Sequence, residues 1–243
     1  TTFSFQEKIN NRSLRFEELI KQYDKISYQD FIDIKYDQQY PTPIFCPFEI
    51  NDVFEYNSAD FPEIKDLIDI IQSWDRKADT NSIGAAQWYI YYEFLNKRIG
   101  QVKHDLGAPV PSDLVIASLK NTRDYFLDKF GNIDVPLKDF QKHVRGDVEL
   151  PVSGLVDMIA ATSTASYNSG VVKAVSGDSY IMLIRYGDDH VEIETVLPYG
   201  ASAHPDSHHY TDQMNMYVNH QRKKMSLDKD VIMESAIKIY HPK

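Results

Sequence analysis

Apolar residues recur at helical spacing through the first half of the chain and at strand spacing through much of the second. Phe16, Leu19, Ile20 and Tyr23 fall at i, i+3, i+4 and i+7 and predict one apolar stripe on an early helix. Ser27, followed three residues later by Asp30, reads as a capping box opening a second short helix through Tyr36, which Pro41 and Pro43 end. Asp60-Phe61-Pro62 predicts the start of a third helix with Leu67, Ile70, Ile71 and Trp74 on its core face. The polar break Asp79-Thr80-Asn81-Ser82 caps a fourth, which places Trp88, Tyr91, Tyr92 and Leu95 on one side. Ser112 opens a fifth, and Gly131 is a C-terminal stop after Lys129-Phe130.

Strand signals begin near Val148. Residues 179–186 form an apolar run with Tyr180, Ile181, Leu183 and Ile184, and an alternating run follows with Val191, Ile193, Thr195 and Leu197. The intervening Gly187-Asp188-Asp189 makes the pair a hairpin, and its first strand is expected to be buried on both faces. Pro198-Tyr199-Gly200 closes the second strand, a helix is expected from about Pro205, and another starts near Leu227-Asp228. No repeat, low-complexity stretch or linker interrupts the pattern. The expectation is one α+β unit over 1–243, helical over 1–145 and strand-rich with C-terminal helices over 146–243.

Composition narrows the partners. With 36 acidic and 26 basic side chains the formal charge is −10, which repels phosphate backbones and argues against a nucleic-acid partner. No run approaches the roughly 18 apolar residues of a membrane span, so no membrane partner is expected. Nor does Thr1-Thr2-Phe3-Ser4-Phe5 carry the basic and apolar regions of a signal peptide. Cys46 is the single cysteine, which excludes an intrachain disulfide and a Cys/His zinc pattern and reads as a small buried side chain.

Four sets of residues are candidates for chemistry. His204, His208 and His209 with Asp212 are the right types for a metal site, with His208 and Asp212 on one helix face; His204 before Pro205 and the divergence of adjacent 208 and 209 oppose convergence, and the plain alternative is a helix N-terminus with hydrogen-bonding side chains. An N-terminal Thr1 with a free amine is a possible nucleophile and base, or simply the start of a fragment. A triad such as Ser207, His190 and Asp212 can be drawn, without a Gly-x-Ser-x-Gly elbow to anchor it. Trp74-Asp75-Arg76 offers a ligand platform, but a Trp ending an apolar stripe is more often core. Residue chemistry by itself stops at a soluble acidic α+β domain.

The tail adds a resemblance. Gly200-Ala201-Ser202-Ala203, then His209-Tyr210-Thr211-Asp212-Gln213, Met216-Tyr217, Asn219 and Arg222-Lys223-Lys224 resemble the closing segment of the penicillin acylases. In that family a strand ends in a Pro-Gly-Gln-Ser-Gly-like turn, followed by a His-Tyr-x-Asp-Gln helix; here Ala201 and Ala203 stand where Gln and Gly are usual. Asp228-Lys229-Asp230-Val231 and Glu234-Ser235 are similar to the family's C-terminal end, which puts Lys243 near the parent's terminus. Residues 70–79 with Ser73-Trp74-Asp75-Arg76 resemble its helix ending in Trp-Asp, and residues 82–98 its next helix. Gly177-Asp178-Ser179-Tyr180 resembles the entry to its apolar strand, so the resemblance runs over nearly the whole chain.

The resemblance implies the C-terminal part of a β chain in an αββα N-terminal-nucleophile hydrolase. Its Ser, Cys or Thr nucleophile and its oxyanion Asn would lie upstream, the latter not being Asn10 or Asn11. It places Arg12 where the family carries an Arg just before a helix, making Arg12 the one residue of the catalytic region present. That role would be electrostatic, organising the nucleophile's amine and the oxyanion side chain; the alternative is a surface Arg near a helix start. The implied partners are the rest of the acylase (upstream β-chain part and α chain) and a small-molecule amide, such as a penicillin or an acyl-homoserine lactone. The resemblance allows calcium in the parent, with no cofactor expected on this segment, and the parent's compartment would be periplasmic or extracellular. Rival readings are a non-catalytic domain that binds acyl ligands or partners, and a compact hydrolase that depends on Thr1.

Overall fold

The first two helices begin at residues that satisfy their free N–H groups. Asn10 caps α1 (Asn11–Ile20) in a reciprocal box with Ser13, and Ser27 caps α2 (Tyr28–Lys35) in the expected box with Asp30. Helix α3 (Lys65–Ser73) begins later than Pro62, because residues 58–60 first form a short 3-10 turn. Its buried residues are Leu67, Ile68 and Ile71, with Trp74 just beyond; Ile68 replaces the expected Ile70, since the core lies one position around the helix. Helix α4 (Ala85–Val102) buries Trp88, Tyr91 and Leu95 as expected, while Tyr92 stays half-buried. Helix α5 (Ser112–Phe130) packs on α4 and stops at Gly131, whose φ of 76° is left-handed and whose N–H reaches Leu127 O.

The computed structural model describes residues 9–102 and 109–240. Helices and sheets are both present, and the fold is α+β. Two compact units divide it, Thr1–Gly177 and Asp178–Lys243. Strand structure starts at residue 141 rather than near Val148, directly after the short α6 (Leu137–Phe140). Strands β1 (Gln141–Arg145), β2 (Val148–Pro151), β3 (Ser163–Ser166) and β4 (Val172–Ser176) form a sheet in the order β2-β1-β4-β3. Its β1–β4 pair is parallel, so the strand-rich half is not purely antiparallel. The parallel pairing is possible because β1 and β4 are separated by β2, β3 and the loop of residues 152–162, long enough for a crossover.

The core of this first unit is aromatic. Tyr40, Trp74 and Trp88 form a triangle with ring centroids 5.0–6.3 Å apart, and Tyr92 stacks on Trp88 at 5.7 Å. Gly84 lies under Trp74: a Cβ there would sit 2.5 Å from Trp74 Cβ, and its φ of 104° excludes most side chains. The fully buried Gln87 fixes the start of α4 by accepting from Gly84 N–H and donating to the carbonyls of Ile133 and Val135.

In the second unit, β5 (Ile181–Tyr186), β6 (Val191–Val196) and β7 (Lys223–Met225) form an antiparallel sheet in that order, the first two joined by the expected hairpin. Strand β5 is not buried on both faces. Ile181 and Leu183 are covered, but Met182, Ile184 and Tyr186 are 44%, 37% and 78% exposed. The pairing register puts Val191, Ile193, Thr195 and Met225 on the same face as these three; Val191 and Met225 are exposed, whereas Ile193 and Thr195 on the central strand are buried. The helix expected at Pro205 starts only at Met214, as α7 (Met214–Val218); residues 205–213 make successive turns instead. Asp228 caps α8 (Lys229–Ser235), where a helix was expected.

Replacing Gly84 by Ala forces both a left-handed backbone and a clash with Trp74, and overpacking alone costs about 1–3 kcal/mol. Gly100, in α4 with open space around it, is the control: Gly100→Ala is expected to stabilise by about 0.5–1 kcal/mol. Urea unfolding of both variants checks the opposite signs.

Candidate functional site

Arg12 lies in the first turn of α1 and is exposed. Among the described residues it has no ion pair, and the first turn contains no acidic side chain. The residues on either side of it are fixed. Asn10 N–H donates to Ser13 Oγ and Asn10 Oδ1 accepts from Ser13 N–H, closing the capping box. Asn11 is 5% exposed and pairs with two remote segments: its Nδ2 donates to Phe45 O (2.9 Å) and to Asp157 Oδ2 (3.0 Å), and its Oδ1 accepts from Phe45 N–H (2.6 Å). Asp157 Oδ2 also accepts the backbone N–H of Asn11 at 2.9 Å.

Asp157 holds a left-handed backbone, φ 60°, a conformation that Asp tolerates better than most residues. Its neighbour Val156 offers its carbonyl to the hydroxyl of fully buried Tyr40, at 2.5 Å. Burial raises the Tyr40 phenol well above its ordinary value, so it stays protonated and remains a donor. One turn along α1, Arg15 forks onto Asp37 and also reaches Gln39 and Glu18, which ties the helix to the segment before Tyr40. Hydrogen bonding to Asp37 raises the Arg15 guanidinium further against the cost of burial.

Beside these residues lies a cavity of about 220 Å³, walled by Asn11, Tyr40, Phe45, Trp88, Tyr92 and Asp157 among others. An adjoining groove of about 720 Å³ runs between α1 and residues 41–52. Apolar side chains such as Leu14, Ile44 and Phe48 line it, together with Glu17, Glu18, Glu49 and Asp52. Glu17 pairs with Lys21 and Glu18 with Arg15, whereas burial and then the charge of Glu49 raise the Asp52 carboxyl.

The other candidates come apart. Thr1 lies outside the described residues. The proposed metal cluster does not assemble: His209, not His208, meets Asp212, with Nδ1 2.7 Å from Oδ2, while the His208 ring lies against that of His209 at 3.8 Å. Among the described residues no group of three or more His, Cys, Asp or Glu is placed to hold a metal ion. Turns rather than a helix carry these residues, so the i, i+4 face assumed for His208 and Asp212 does not exist. The drawn triad also fails, since His190 faces Glu192 and Asp212 is engaged by His209. Trp74 is core, its Nε1 donating to Lys77 O, and the Arg76 guanidinium lies 4.4 Å over the Phe54 ring.

The His-Tyr-x-Asp-Gln segment closes a loop. Ser202 N–H donates to His209 O, Gln213 N–H to Tyr199 O, and Leu197 N–H to the side-chain oxygen of Gln213. Gly200 permits this: a Cβ there would lie 2.2 Å from His209 O and 2.7 Å from Asp212 Oδ1. The Asn11–Asp157 pairing had no signal in the sequence, because its partners are 146 positions apart.

Two expectations follow. Burial pushes the Cys46 thiol up to about 11, with a backbone hydrogen bond from Phe48 opposing it. Only about one thiol in a thousand is then ionised at pH 8, so alkylation by iodoacetamide is slow and rises with pH up to about 11. Gly200→Ala breaks the loop closure, and amide exchange at Ser202 and Gln213 accelerates first.

The comparisons with known proteins agree with the tail motifs. No curated protein matches the chain. A solved structure of a thermostable penicillin G acylase from Alcaligenes faecalis aligns with 100% of this chain at 13% identity and a TM-score of 0.48, and the chain spans 55% of that structure's chain. The family model of the penicillin amidases matches residues 2–234, and the chain belongs to the penicillin amidase family.

Proposed function

We propose that the chain is the C-terminal part of the β chain of an N-terminal-nucleophile acylase with an αββα core, whose nucleophile lies upstream. The family match over residues 2–234 carries this reading. The reaction is acyl transfer from an amide to water. The upstream nucleophile attacks the acyl carbonyl, an oxyanion hole stabilises the tetrahedral intermediate, the amine leaves, and water releases the carboxylic acid. Arg12 supplies fixed positive charge beside the nucleophile's amine and the oxyanion side chain. Substrates are amides with an apolar acyl group, such as penicillins or acyl-homoserine lactones, and the parent is periplasmic or secreted.

Exposed apolar surface supports the fragment part of the reading and weighs against a self-standing binding domain. In the first unit Phe16, Ile26, Phe31 and Phe45 are 43–48% exposed, and in the second Met182, Ile184, Tyr186, Val191 and Met225, on one side of the β5-β6-β7 sheet, are 37–78% exposed. Where such side chains form a large patch they mark packing against another chain segment. The described residues offer no ligand set for the calcium that the resemblance allows in the parent, and no step here uses it.

The test is hydrolysis of phenylacetyl and fatty-acyl anilides by this chain alone and by the chain joined to the upstream part of its parent. Turnover is expected only in the joined form, with kcat about 10²–10³ lower in Arg12→Ala. Turnover by this chain alone that disappears in Thr1→Ala makes Thr1 the nucleophile and overturns the fragment reading.

A further inference from the structure

We propose that Asn11 and Asp157 form a positioning pair for Arg12, an inference that rests on reading Arg12 as the electrostatic support of an acylase site. The first turn of a helix favours acidic side chains and disfavours cations, because the free N–H groups carry partial positive charge. Helix α1 places Arg12 there and no acid beside it. The missing negative charge comes from another element: Asp157 Oδ2 accepts the Asn11 N–H at 2.9 Å and the Asn11 Nδ2 at 3.0 Å. The helix end is thereby neutralised by a carboxylate that forms no ion pair with Arg12 among the described residues. A guanidinium paired with its own neighbour would have its charge cancelled; this one has no such partner among the described residues.

The geometry also fixes where Arg12 begins. Its backbone lies between Asn11, whose side-chain oxygen and nitrogen are both bound to Phe45, and Ser13, held in the capping box with Asn10. Asp157 reaches Asn11 from a left-handed backbone, and its neighbour Val156 is bonded to the buried Tyr40 hydroxyl. The position of Asp157 is therefore set by the core rather than by solvent-exposed contacts. The clamp serves the arginine by aiming its Cα, leaving only side-chain rotation free.

The experiment uses the complete acylase, nucleophile-bearing part included, with Asp157→Gly, Asp157→Asn, Asn11→Ala and Arg12→Ala. Glycine accepts the left-handed backbone while removing the carboxylate, and asparagine keeps both the conformation and one acceptor oxygen. Asp157→Gly is expected to lower kcat about 10–100-fold with little change in KM, and Asp157→Asn to recover most of the loss. In an Arg12→Ala background Asp157→Gly should cost nothing further, because the residue acts through Arg12. Losses that multiply in the double variant, or a lowered Tm with unchanged kcat, mean that the pair merely docks α1, and the proposal falls. If Asp157→Gly does not accumulate as folded protein, Asn11→Ala is read by the same double-variant criterion. A normal kcat in Arg12→Ala is a separate failure: it removes the reading of Arg12, and the positioning role with it.

Discussion

The packing of Trp74 and Trp88 across Gly84, with Tyr40 against both indoles, is the constraint on which the first unit depends. Trp74 ends α3 and Trp88 lies in the first turn of α4, so the two indoles set how one helix hands over to the next. Close approach is possible only because residue 84 has no side chain. Tyr40 extends the same cluster to the chain segment before it: its N–H reaches Arg76 O, and Ala78 N–H reaches Gln38 O. Ala78 in turn accepts from Gly154 N–H, and Tyr40 holds Val156 through its hydroxyl. The loop bearing Asp157 is thus an outward extension of the aromatic core.

This chain of dependence gives the Asn11–Asp157 contact its stiffness. A left-handed Asp costs about 1–2 kcal/mol relative to an ordinary backbone. Hydrogen bonds to a charged acceptor each contribute about 1.5–3 kcal/mol, and Asp157 accepts two from Asn11. The bonds outweigh the strain, provided that the core holds the loop in place; with Tyr40 or Trp88 displaced the carboxylate would relax toward solvent. The α1 helix has little else to orient it, because its apolar stripe is only partly covered and Phe16 is 47% exposed. Polar anchors, Asn11 and Arg15, do for α1 what hydrophobic burial does for α3 and α4.

The features legible in the sequence were those decided within a few residues. The Ser27–Asp30 box, the Gly131 stop, the 187–190 hairpin loop and the Asp228 cap all depend on local hydrogen bonds or a local φ, and all are present. What was misread depends on partners distant in sequence. The apolar run at residues 179–186 has the same composition whether both faces of the strand are covered or only one. The Pro205 region has helix-start residues, but its bonds are local turns, Ser207 N–H to His204 O and Tyr210 N–H to Ser207 O, while His209 O and Gln213 N–H are taken by Ser202 and Tyr199 across the loop. His208 was paired with Asp212 by helical spacing, and once the backbone turns instead of winding, His209 is the nearer ring. Arg12 itself was located by resemblance; the two residues that hold it were invisible, since nothing near Asn11 in sequence points to residue 157.

The tail motif shared with the family makes a set of loop-closing contacts. Gln213 satisfies Leu197 N–H, His209 meets Asp212, and Gly200 leaves room for the carbonyl of His209. Gly200 is required by a close approach of backbone to backbone, which tolerates few substitutes, whereas Gln213 and the His209–Asp212 pair act through side-chain hydrogen bonds. Ala201 and Ala203 can depart from the usual pattern because they make none of these loop-closing bonds through their side chains. A family signature composed of such closures reports the fold faithfully and is silent about the acyl group.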